Sequence, residues 1–241
     1  MSREGQRDYE NLESFISSYS LSTSISNDDF KLNLTKQHKR YYALIVFAAE
    51  LNHQNFDPID PASENHDILI YNFNNYIPES ISEMGSALFV WLHGCYKICQ
   101  QTLRSSIENY LKGIGSIEFD DITGKKNTYE VFDLVSSLPF FLENPNRHLF
   151  DSLKSHYSDL CASVHTATFQ NMQNISSLGY FPHFKKENAD IVASKFISIA
   201  EDFLSILCLM FPDTLKNMHY KNQDIIMPIL DRETRHRLKE I

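Results

Sequence analysis

Two residues in "RSSIEN", Arg104 and Glu108, stand one helical turn apart inside an otherwise apolar run. An arginine offers a planar fork of N–H donors suited to phosphate or carboxylate. At about 100° per residue the pair falls beside the apolar stripe of its helix, at the rim. Glutamate before the basic residue is the better order for a helix-surface ion pair, and here the order is reversed. Two readings of Arg104 stay open: an intrahelical salt bridge, or a reach across to a neighbouring helix or a bound anion.

A second cluster lies downstream in "HYSDLCASVHT", where Tyr157, Cys161 and His165 recur every four residues and line one strip. A rim histidine titrates near neutrality and so can give or take a proton; it can equally cap a helix end. Cys95 with Cys99 and Cys161 with His165 form two i,i+4 pairs that facing helices could combine into a tetrahedral zinc site. All three cysteines also continue apolar stripes, where free cysteine packs as a small hydrophobe. Neither a G-x-S-x-G elbow nor a dinucleotide fingerprint is present, because "GIG" at Gly113–Gly115 follows a helix rather than a strand.

An "LRSSIENYLK" helix followed by a "YSDLCASVHT" helix resembles the HEPN superfamily and related abortive-infection proteins of prokaryotes, over about residues 80–211. The resemblance implies an all-helical fold, commonly a homodimer or a complex with a protein partner. It also implies a role in antiviral defence or a toxin–antitoxin system, often as a metal-independent ribonuclease acting on RNA. The sequence departs from the family's Arg-x4-6-His motif, since Arg232 and His236 are too close. The positions matching in role are Arg104, to bind phosphate, and His165, to move the proton of a ribose 2′-hydroxyl, with Glu108 and Tyr157 orienting them. A non-catalytic helical adaptor, or an antitoxin-like subunit of a defence complex, is the alternative.

These residues need elements to hold them. The chain has 241 residues, 42% of them hydrophobic, enough for one large domain. Seven glycines and eight prolines are too few for turn-dense β folds or phosphate loops. The net charge of −9 argues against a broad nucleic-acid-binding face, though a local groove stays open. No apolar run reaches the roughly 18 residues of a membrane span. With no basic and apolar leader before its four cysteines, the expectation is a reduced, cytoplasmic protein without a membrane partner or small-molecule cofactor.

The pattern predicts an all-α antiparallel bundle with long irregular connections. Residues 1–27 are expected to be loosely ordered, with "YENLESFISSY" as a short helix, and residues 28–241 to form a single helical domain. Asn27 or Asp28 caps a helix to about Leu51, whose "KQHKR" reads as a solvated basic turn. Residues 52–78 read as a connection containing a short strand, "DILIYNF". Ser80 and Glu83 read as a capping box opening one central helix that runs to Gly113. A turn or hairpin surrounds Gly124, and helices follow from Thr128, from Asn144 to about His165 and from Asn188 to Phe211.

Overall fold

The computed structural model describes residues 3–164 and 177–240. Its helices are α1 (Arg3–Ser18), α2 (Ser22–Ile25), α3 (Asp28–His53), α4 (His66–Leu92), α5 (Tyr96–Gly115), α6 (Thr128–Ser136), α7 (Pro139–Leu142), α8 (Asn144–Val164), α9 (Lys186–Met210), α10 (Pro212–Asn217), α11 (Tyr220–Ile226) and α12 (Arg232–Glu240). Single 3-10 turns lie at Ile122–Gly124 and Leu178–Tyr180. No strand occurs among the described residues, so the fold is all-α and the region around Gly124 is a turn without a hairpin. The segment expected to be loose carries α1 and α2.

Two local expectations are corrected. "DILIYNF" belongs to α4, which runs through Pro78. Leu69, Phe73, Ile77, Ile81, Met84, Leu88 and Trp91 are all buried along it, a stripe of helical period continuing on both sides of the proline. Pro78 removes one backbone donor, but the burial of that stripe, at about 1.5–3 kcal/mol per large side chain, outweighs the loss of about 3 kcal/mol. Ser80 and Glu83 therefore sit in mid-helix and cap nothing.

The second correction is the central helix, which breaks at residues 93–95. Gly94 has φ of +80°, a left-handed conformation that ends α4 and turns the chain into α5. The two helices fold back as an antiparallel hairpin. Ser106, fully buried, donates to the Ser80 carbonyl at 2.8 Å, and a Cβ on Gly113 would lie 2.6 Å from Ile77 Cδ1. Small residues at these positions let the helix axes approach closely.

Around this hairpin the other long helices pack. Phe30 of α3 stacks on Trp91 of α4 with ring centroids 5.0 Å apart, and Tyr110 of α5 stacks on Phe203 of α9 at 3.8 Å. The Tyr110 hydroxyl donates to the Phe203 carbonyl at 2.8 Å, so the phenol enters the core with its polar end satisfied. Neighbours run mostly antiparallel, but α9 runs parallel to both α5, where Tyr96 lies by Lys185 and Tyr110 by Phe203, and α3. Lys186 meets Asp29, Asn33 meets Asp190 and Arg40 meets Glu201, so α3 and α9 advance in the same direction. Within "KQHKR", Gln37 is buried and Arg40 is held by Glu201, leaving Lys36, His38 and Lys39 outside.

Candidate functional site

Arg104 reaches across. Its Nε donates to Cys161 Sγ at 3.1 Å and its NH2 to the Tyr157 hydroxyl at 2.7 Å, both on α8. The same NH2 lies 2.7 Å from Glu108 Oε1, and the Tyr157 hydroxyl donates to that oxygen at 2.7 Å. The guanidinium carbon stands 5.0 Å from the centroid of the Tyr157 ring. Both open readings of Arg104 thus hold together: the intrahelical ion pair exists, and it fixes a fork that crosses to the neighbouring helix. Among the described residues, none bonds to NH1.

The elements explain the placement. Ile107 and Leu103 drive one side of α5 into the core, which leaves Arg104 and Glu108 at the edge facing α8. On α8, Leu153 and Leu160 are buried and Tyr157 follows them inward, its ring 5.1 Å from that of Phe132 on α6. Burial pushes the Tyr157 hydroxyl up to about 12; Thr128 and Arg104 pull it down while Glu108 pushes it further up. It acts as a neutral bridge, accepting from the arginine and donating to the glutamate. Burial works against the Arg104 charge, but Cys161, Glu108 and Tyr157 more than offset it and leave its pKa raised.

The other edge of "RSSIEN" turns to α4. Ser105 Oγ donates to Glu83 Oε1 at 2.5 Å and Asn109 Nδ2 to Glu83 Oε2 at 2.9 Å, so both carboxylate oxygens are held. Burial raises the Glu83 pKa despite those two bonds, and Glu79 and Glu108 add to the rise. The sequence pattern does not mark Glu83, Ser105, Asn109 and Thr128 as part of the site: it reads Glu83 as a capping residue and Thr128 as a helix start. The signal was there for one pair: Ser105 and Asn109 are one turn apart on a common edge, as Arg104 and Glu108 are.

The structure brings together Arg104, Glu108 and Tyr157, and adds Cys161. His165 lies outside the described residues. For the zinc alternative, no group of three or more His, Cys, Asp or Glu residues stands together among the described residues. Cys99 is fully buried with its thiol pushed well up by burial, and the Cys161 sulfur faces a guanidinium. Burial of Cys99 disfavours the thiolate that a zinc ligand requires. No described helix is long and apolar enough to cross a membrane.

A comparison of the chain with known protein families, with curated proteins and with solved structures finds no match.

Proposed function

We propose that the chain is a HEPN-like protein of prokaryotic defence or toxin type that acts on RNA through the α5–α8 face. The observation supporting this reading is the Arg104 fork, seated on Tyr157 and Cys161 of α8, the helix that precedes His165 in the sequence. In the proposed reaction Arg104 binds a phosphate oxygen through NH1 and opposes the charge that builds on phosphorus. His165 takes the proton from a ribose 2′-hydroxyl. The 2′-oxygen forms its bond to phosphorus as the bond to the 5′-oxygen breaks, and the leaving oxygen takes a proton. The products are a 2′,3′-cyclic phosphate and a 5′-hydroxyl. Glu108 and Tyr157 hold the fork in place.

A second reading, a non-catalytic adaptor or antitoxin-like subunit, is favoured by a different observation. Glu108 already neutralises Arg104, Glu79 and Glu83 add negative charge nearby, and the chain carries −9 overall. Such surroundings oppose a polyanion. Incubating the purified chain with single-stranded RNA in the presence of a metal chelator separates the two. Cleavage that disappears in Arg104→Ala and His165→Ala fits the ribonuclease reading. Intact RNA with the wild-type chain, or cleavage indifferent to both substitutions, leaves the adaptor reading in its place.

A further inference from the structure

On the opposite side of α8 from Arg104, a second set of ionisable groups meets α9 and takes no part in the proposed chemistry. Asp202 of α9 is enclosed in the seam, its side chain 15% exposed, and accepts a hydrogen bond from Ser152 Oγ of α8 at 2.7 Å. Among the described residues its one ionic neighbour is His156 of α8, with Nε2 at 3.9 Å, beyond hydrogen-bond reach. The cations nearby are engaged or turned elsewhere. Arg40 of α3 is taken by Glu201, and Lys195 of α9 acts on Asp159 and His156. Asp231, which caps α12 by accepting from Thr234, adds negative charge, as does Glu201; His148 faces Asp231, and Tyr110 of α5 feels Asp202 from the core side.

We infer that this seam is a proton-sensitive joint: the enclosed Asp202 carboxyl sits in it protonated, with one hydroxyl donor and a neutral imidazole beside it, and loss of its proton loosens the seating of α8 on α9. Burial, the largest cause, lifts Asp202 to about 7 despite the Ser152 bond, and burial lowers His156 below its ordinary value. The usual order is reversed, so the proton rests on the carboxyl and the imidazole is neutral. When that proton leaves, a full negative charge stands in the seam with one hydroxyl donor. The charge is then met by water entering between the helices, which moves α8, and the residue after His156 is Tyr157, which holds Arg104. The inference concerns the joint alone and stands whether or not the chain cuts RNA.

The test is carbon-detected NMR of the Asp202 carboxyl across pH 5–9, together with hydrogen exchange along α8. The expected midpoint lies within about one unit of 7, and α8 protection falls about tenfold between pH 6 and 8 beyond the rise that base catalysis imposes. Asp202→Asn, which keeps the acceptor for Ser152, removes that fall. Ser152→Ala, which removes the donor to the charged form, moves the midpoint upward. A wild-type midpoint more than about one unit from 7, or the same fall in α8 protection with Asp202→Asn, overturns the inference.

Discussion

A double-mutant cycle between Arg104→Ala and Tyr157→Phe tests whether the α5–α8 contact is one unit. The phenylalanine keeps the ring that packs on Phe132 and loses the hydroxyl, which accepts from Arg104 and donates to Glu108, each at 2.7 Å. A hydrogen bond to a charged group contributes about 1.5–3 kcal/mol when enclosed, and an exposed ion pair about 0.2–1 kcal/mol. With side chains of Arg104 and Glu108 that are 34% and 25% exposed, this contact lies between those limits. A coupling energy of about 1–1.5 kcal/mol follows, and each single variant should lower Tm by about 2–4 °C per kcal/mol lost in a chain of this length. Urea unfolding of the four proteins, with the denaturant slope unchanged, measures it. A coupling below about 0.5 kcal/mol, the scatter of independent sites, would refute the network and leave Arg104 and Tyr157 as separate surface contacts.

Other perturbations have defined directions. Gly94→Ala places a Cβ 2.4 Å from the His183 carbonyl oxygen at a positive φ, and should cost about 2–3 kcal/mol by thermal melt; a near-neutral result would mean the turn relaxes freely. Pro78→Ala restores a backbone donor inside α4 and should stabilise by about 1–2 kcal/mol, whereas a loss would show that α4 depends on the proline for its path. Asp202 binds its proton more tightly folded than unfolded, so its contribution to stability is present below about pH 4 and is lost as pH rises to about 7. About three pH units correspond to an upper bound of about 4 kcal/mol. The stability difference between wild type and Asp202→Asn should therefore widen in favour of the asparagine from pH 5 to pH 8; a constant difference contradicts the raised pKa.

The long periodic helices were legible because burial stripes of helical period leave a direct trace: α3 with its Asn27 cap, α8 from Asn144 and α9 ending before Pro212 all lie within two residues of the reading. Pro78 and Gly94 were misjudged by the same logic. A proline was given the weight of a helix breaker against a stripe that continued past it. A glycine at a real break was passed over because Leu92, Cys95 and Cys99 seemed to extend the stripe. At the site, the rim positions of Arg104 and Glu108 followed from the wheel, and Tyr157 from its strip. Glu83 did not, because its partners Ser105 and Asn109 are polar groups satisfied across a hairpin, and hydrophobic period carries no trace of such bonds.

The short link at residues 93–95 also bears on the order in which the chain folds. Closing three residues is entropically cheap, so α4 and α5 can pair as soon as both have been made, through contacts such as Ile77 with Gly113 and Ser80 with Ser106. The stack of Tyr110 on Phe203 must wait for a helix about ninety residues further along the chain. A nascent hairpin would thus wait for α9 with one apolar flank uncovered, and substitutions at Ser106 or Gly113 should slow folding, while those at Phe203 should mainly quicken unfolding.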